Sequence, residues 1–269
     1  MGMQIVKPSN ILAPYVKQYW AVQNSIDPDH EYAQRIVPSG LTELSFYLSE
    51  TPVSSQKKQR LESNSLLNGQ SSSYSDLLIT SSLDLFSITF TAFGASAFFD
   101  LPIIELQDNS IPLSFLIKDQ AEEITNKLTE TTDFKNRVLI IEEFLINRIR
   151  LNIQEYKLAR IDYSMQNIHQ KRGIIEIDQL AFDSCLSRKQ FERDFSNIIG
   201  LSPKKYLRVI RFQNAISQIQ NDAKMELTKL AYVCGYFDQS HMIRDFKQLT
   251  GYTPMQYFKD CEPYSDFFS

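Results

Sequence analysis

Eight side chains in the second half of the chain are of the kinds that read or hold a polyanion. Arg188, Lys189, Gln190 and Arg193 fall within one short stretch, and Gln239, Ser240, Arg244 and Lys247 within another. An Arg guanidinium can fork onto guanine O6 and N7, and a Gln amide onto adenine N6 and N7. A Lys at the position of Lys247 is better suited to a phosphate. Arg193 and Arg244 each open the same passage, RDFSNIIGLSPKKYL and RDFKQLTGYTPMQYF, 51 residues apart. Gly200 and Gly251, Pro203 and Pro254, and Tyr206 and Tyr257 recur in register, with Ser202 answered by Thr253 and Leu207 by Phe258. Upstream, Leu180–Ala181–Phe182 matches Leu230–Ala231–Tyr232 with one residue of slippage. A repeat of this kind is one supersecondary unit present twice.

The elements that would position these residues follow from their neighbours. In the first unit Asp178 is placed to cap a short helix, Gln179–Ser184. Ser187 then caps a second, running to Ile199 and stopping at Gly200, with Gln190 three residues on as in a capping box. Two short helices joined by a tight turn form a helix-turn-helix, whose second helix enters the major groove. Leu180, Ala181, Leu186, Phe191, Phe195 and Ile198 make the inward face, leaving Arg188, Lys189, Glu192, Arg193 and Asn197 outside. In the second unit Thr228 caps Lys229–Cys234 and Gly235 supplies a positive φ at the turn. Asp238 caps the helix that exposes Gln239, Ser240, Arg244 and Lys247 and ends at Gly251. Its inward set is Leu230, Ala231, Phe237, Met242, Phe246 and Leu249.

Between the units Ser202–Pro203 starts a helix through Gln220, with Ser as N-cap and Pro at the first helical position. Tyr206, Ile210, Phe212, Ala215, Ile216 and Ile219 would pack on both units. A rigid spacer of this kind can hold two recognition helices about one turn of DNA apart, roughly 34 Å.

The rest of the chain is of a different make. Residues 1–155 hold 12 basic and 19 acidic residues, and residues 156–269 hold 16 and 13, so the repeat-bearing part is the one suited to a polyanion. From Ile5 to Phe93, LAPYVKQYWAVQ, TELSFYL, SSYSDLLIT and LDLFSITFTAF read as short strands, with Val37–Pro38–Ser39–Gly40 as a turn. In the last of them Phe86, Ile88 and Phe90 share a face. SETPVSSQKKQRLESNS reads as a loop or hairpin tip, its Lys57–Lys58–Gln59–Arg60 cluster solvated. After Phe93 come one short helical turn at GASAFFD, an irregular connection over LPIIELQDNSIPLSFL, and helices over Lys118–Glu130, Asp133–Arg150 and Gln154–Arg172. Phe134, Val138, Ile141, Leu145 and Ile149 form one stripe of the second helix, and Ile140 and Phe144 a neighbouring one. Gly173 ends the third.

Catalytic and metal chemistry find no support. His30, His169 and His241 are scattered, Cys185, Cys234 and Cys261 lack metal spacing and read as buried small hydrophobes, and Glu122–Glu123 and Glu142–Glu143 read as solvated helix faces. No apolar run is long enough to span a membrane, and the N-terminus lacks a secretory layout, which points to the cytoplasm.

At the repeated passages the chain resembles the C-terminal domain of AraC/XylS-type transcription regulators, over Gly173 to Phe258. AYVCGYFDQSHMIRDFKQLTGYTPMQY and LSRKQFERDFSNIIGLSPKKYLRVIRFQNA carry the likeness. The resemblance implies that Lys189, Gln190 and Arg193, and Gln239, Ser240 and Arg244, face the groove. Cys185 departs from it, standing where the first turn often has glycine, which implies a differently shaped turn there. Trp20, VPSGLTELSFYL, Phe90 and Gly94–Ala95 resemble a β-rich sensor module of the same family, which implies a cupin-like barrel followed by helices. The expectation is therefore an α+β chain. Residues 1–155 form a small β-barrel with trailing helices, and 156–269 carry helix-turn-helix units at 178–200 and 228–251 joined by a helix at 203–220. Its expected function is sequence-specific binding of double-stranded DNA in transcription regulation, without a cofactor or a catalytic residue. A small-molecule effector, RNA polymerase and a second copy of the chain are candidate partners. The alternative makes the N-terminal barrel an oligomerisation or partner-binding module with no ligand.

Overall fold

The computed structural model describes residues 2–24, 32–80, 82–149, 155–222 and 225–260. His30, Arg150, Gln154 and Cys261, named above, lie outside them. The chain forms two compact units. One comprises Met1–Arg35, Leu41–Gly69 and Ser75–Ile153, and the other Ile36–Gly40, Gln70–Tyr74 and Gln154–Ser269.

The first unit is built from β1 (Gly2–Val6), β2 (Val16–Asn24), β3 (Tyr32–Ile36), β4 (Glu43–Tyr47), β5 (Val53–Ser54), β6 (Gln59–Arg60), β7 (Ser65–Asn68), β8 (Ser75–Ile79), β9 (Leu83–Phe90) and β10 (Ser110–Pro112). The larger sheet runs β1-β2-β9-β4-β7-β10 and the smaller β3-β8-β5-β6. The α+β class is as expected, but the barrel is not closed: β1 and β10 end the larger sheet as edges instead of returning on each other. The polar stretch after β4 is the β5–β6 hairpin, with Lys58 at φ 53 in its tip. Short 3-10 turns at Gly94–Ala97 and Ile103–Leu106 follow β9. The connection expected to be irregular also contains β10 and α1 (Ser114–Ile117). The unit ends with α2 (Asp119–Glu130) and α3 (Phe134–Ile146).

Strand alternation decides what each face of the large sheet buries. Tyr19, Ala21, Leu44, Phe46, Leu67, Phe86, Ile88 and Phe90 point to the side where Ile124, Leu128, Phe134, Val138, Ile141 and Leu145 of α2 and α3 join one core. The second stripe of α3 is half-buried at Ile140 and Phe144, while Leu139 is 64% exposed. Arg137 of α3 is nearly fully buried and clamps Asp84 of β9 through two bonds of 2.8 Å, from Nη1 and Nη2. The opposite sheet face is mixed, with polar side chains beside the buried Val22, Tyr47 and Leu66. Register puts Trp20 across from Ser87, Ser87 across from Ser45, and Glu43 across from Thr89.

The second unit holds α4 (Glu155–Gln170), α5 (Ile177–Asp183), α6 (Arg188–Ile199), α7 (Pro203–Asn221), α8 (Leu227–Val233), α9 (Gln239–Thr250) and α10 (Pro254–Asp260). After α4 the chain reverses at Gly173, φ 76, where an added Cβ would meet the Leu207 carbonyl oxygen at 2.8 Å. Ser202 accepts from the Lys205 amide and Pro203 opens α7, as its residue types predict. Two short earlier segments belong to this unit: the Pro38 carbonyl accepts from Gln213 Nε2 at 2.6 Å, and Gln70 Nε2 donates to the Ile199 carbonyl at 2.6 Å.

Candidate nucleic-acid interface

The repeated passages form two helix pairs, α5–α6 and α8–α9, and the triplet Arg-Asp-Phe has the same anatomy in each. Phe195 and Phe246 are fully buried, Asp194 and Asp245 nearly so, and Arg193 and Arg244 exposed. Each Phe packs on an aromatic ring of α7. Phe195 lies 5.7 Å from Tyr206, and Phe246 lies 5.0 Å from Phe212. The linker helix therefore seats both outer helices by the same kind of contact. Asp245 adds an ion pair, 2.8 Å from Nε of Arg208 on α7, and Arg208 also donates to Gln248 at 2.7 Å. The first unit's Asp194 has no such tie to α7; it accepts from Gln190 at 2.5 Å and lies 3.7 Å from Arg193.

The capping expected for α6 and α9 is present. Ser187 accepts from the Gln190 amide at 3.3 Å and Asp238 from the His241 amide at 2.6 Å. Gln190 does not complete a reciprocal box, because its side-chain amide is taken by Asp194. Both helices end on left-handed glycines, Gly200 at φ 91 and Gly251 at φ 78. Asp178 and Thr228, expected to cap the first helix of each pair, do not. α5 and α8 start two positions earlier, at Ile177 and Leu227, behind Glu176 and Glu226, neither of which caps with its side chain. From the first turn, Asp178 instead pairs with Arg188 at 3.0 Å, and Thr228 donates to Gln239 at 3.0 Å. Arg188 and Gln239 are the first residues of α6 and α9, so one repeated contact ties the two helices of each pair.

The two turns share a left-handed residue but not a length. Cys185 sits at φ 54 and Gly235 at φ 73, so cysteine adopts the conformation expected of glycine there. Gly235 has a second constraint, since an added Cβ would lie 2.7 Å from Ile174 Cγ1. Cys185 is exposed, against expectation, while Cys234 is buried and burial pushes its thiol up to about 11. The slippage between the repeats falls within the turn. One residue, Leu186, separates Cys185 from the cap Ser187; two, Tyr236 and Phe237, separate Gly235 from Asp238. Tyr236 takes the buried place, and Phe237, expected inside, is 84% exposed.

These facts sort the eight expected residues. Lys189, Ser240, Arg244 and Lys247 are exposed or half-exposed on the outer faces, and the side-chain bond of Arg244 is a 3.4 Å contact with the Ser240 carbonyl one turn back. Arg193 is exposed but donates to Gln190 at 2.7 Å. Arg188 lies between Asp178 and Glu192, the Glu192 hydrogen bond and then the Asp178 charge raising its pKa. Gln190 and Gln239 are half-buried and bonded within their units. His241, at the position equivalent to Gln190, packs its ring 5.4 Å from Tyr236. Among the described residues no group of His, Cys, Asp and Glu could hold a metal ion, and no helix is long and apolar enough to cross a membrane.

Comparison with known proteins finds family matches in both parts of the chain. Residues 180–260 match a helix-turn-helix domain family, and residues 4–112 match a domain family of unknown function (DUF6597). The chain is 24% identical over 233 residues to a probable transcriptional regulator, LumQ, of Photobacterium leiognathi, covering 85% of this chain and 90% of that protein. It is 30% identical over 97 residues to the F1 operon positive regulatory protein of Yersinia pestis, covering 36% of this chain and 31% of the relative. Among solved structures, ToxT from Vibrio cholerae aligns with a TM-score of 0.47 at 11% identity, covering 89% of this chain and 97% of that one.

Proposed function

From a chain that carries the AraC-type helix-turn-helix domain of transcription regulators, we propose that α6 and α9 are two recognition helices entering successive major-groove segments of one duplex. The observation that carries this is the shared seating of the two helices on α7, with Lys189 and Arg193 on one and Ser240, Arg244 and Lys247 on the other left on the outer faces. Arg244 is the leading base reader, because its guanidinium has no carboxylate partner among the described residues, whereas Arg188 has two. Lys247 holds a phosphate. Arg244→Ala on the full chain then costs about 1–3 kcal/mol on the cognate duplex and relaxes one base position. Lys247→Ala weakens binding on all sequences and lowers the salt slope by about one. Equal losses on cognate and random DNA for Arg244→Ala would remove it as a base reader.

A specific feature favours effector control through the first unit. Glu43 accepts from Trp20 Nε1 at 2.7 Å and is also hydrogen-bonded to Ser87. Ser87 donates to Ser45 at 3.0 Å, and Asn68 donates to Ser45 at 2.9 Å. Thr89, fully buried across from Glu43, has a hydroxyl without a partner among the described residues. A cluster of hydrogen-bonded polar side chains with an unsatisfied buried hydroxyl is more than a packing surface needs. The ligand-independent alternative predicts that no small molecule alters the melting of this unit.

A further inference from the structure

The one-residue difference between the repeats leaves a phenyl ring in an unusual place. In the second unit Tyr236 fills the inward position of the turn. It is 3% exposed, with His241 against its ring and the Arg211 guanidinium 5.9 Å from its centroid. The additional residue, Phe237, is turned outward. It directly precedes the cap Asp238 and the first helical turn that carries Gln239 and Ser240. The first unit has no counterpart, because there the cap follows Leu186 at once. The ring therefore adds nothing to the core, and it stands at the end of α9 that the DNA reading sends into the groove.

We propose that Phe237 is a base-contacting residue that packs on the 5-methyl group of a thymine at the edge of the second unit's site. This rests on the reading of α9 as a recognition helix. The thymine methyl is the apolar group on the major-groove base edges, and phenyl is among the side chains that contact it. Cytosine carries only hydrogen at C5, where thymine carries the methyl group, so a phenyl ring loses that apolar contact on cytosine and thymine is preferred. The contact assigns the second unit one more base position than the first, with Phe237 reading an apolar feature beside the polar readers Ser240 and Arg244. Tyr232 and Val233 at the end of α8 are exposed as well. A protein surface covering all three is the rival occupant.

The test starts from duplexes enriched from random DNA by the full chain. Each thymine is replaced in turn by deoxyuridine, which removes only the methyl group. The wild type should lose about three- to tenfold in affinity at one thymine on the second unit's side, the worth of about one buried methyl. Phe237→Ser should show that loss on the unmodified duplex and be indifferent to deoxyuridine at that position, while Phe237→Leu keeps most of the affinity. An unchanged melting temperature of Phe237→Ser confirms that the fold is intact. Wild-type affinity of Phe237→Ser, with the same response to every deoxyuridine, overturns the proposal while leaving the DNA reading in place. So does normal DNA binding by Phe237→Ser combined with lost transcription in a purified system, which would assign the ring to a protein. Failure to enrich any duplex would overturn the DNA reading itself, and this contact with it.

Discussion

Replacing Glu43 by glutamine should change how the first unit's stability depends on pH. Burial pushes the Glu43 carboxyl up to about 8, against the lowering effect of its hydrogen bonds with Trp20 and Ser87. Its ordinary value is about 4.3. The folded state therefore keeps a proton that the unfolded chain releases. Stability is greatest below pH ~4, falls as pH rises through the window up to about 8, and levels off above it. Full expression of the shift at about 1.4 kcal/mol per unit would be about 5 kcal/mol. Glu43 keeps part of its surface exposed, and solvent reduces the expected effect to about 2–3 kcal/mol. The glutamine side chain is a neutral group of the same shape, able to accept from Trp20 and donate to Ser87, and it would remove the slope. Urea titrations at pH 5.5, 7 and 8.5, followed by the fluorescence of the single tryptophan, read this directly because Trp20 is bonded to Glu43. The wild type should lose about 1–2 kcal/mol relative to the Glu43→Gln variant between pH ~5.5 and ~8.5, the rest of the effect falling below pH ~5.5. Parallel profiles would refute the reasoning.

Three further outcomes follow from particular contacts. Cys185→Gly should stabilise the second unit by about 0.5–1 kcal/mol, the relief of a left-handed residue less the entropy of glycine, read as a higher urea midpoint. Gly235→Ala should destabilise it by about 2 kcal/mol in the same assay, because strain at φ 73 adds to the approach of Ile174. Arg137→Met should cost the first unit about 3 kcal/mol by leaving Asp84 facing an apolar group, and adding Asp84→Leu should restore much of it.

Much of the second unit was legible because the relevant signals are local. Ser187, Ser202 and Asp238 cap the helices their spacing assigns them, and Gly173, Gly200 and Gly251 take the left-handed ends. A short polar side chain or a missing Cβ acts within three or four residues, so sequence carries it. Asp178 and Thr228 misled because a residue in a helix's first turn looks like its cap, and here longer-range partners, Arg188 and Gln239, take their side chains. Phe237 misled because hydrophobicity places a residue inside only if the backbone has room, and the turn has one inward place, held by Tyr236. The buried Asp194 and Asp245 were visible only as a repeat; their burial follows from how α6 and α9 sit on α7. In the first unit, alternation identified Phe86, Ile88 and Phe90 as core. Closure of a sheet depends on which edge strands meet, and no short-range pattern encodes that.

Enrichment of random duplexes by the full chain decides whether one chain reads two major-groove segments. Two recognition helices on one duplex should select a bipartite element whose two halves have centres about 10–10.5 base pairs apart, with Arg244→Ala relaxing a base in only one half. A single uninterrupted element insensitive to Arg244→Ala, or no enriched sequence at all, would contradict it.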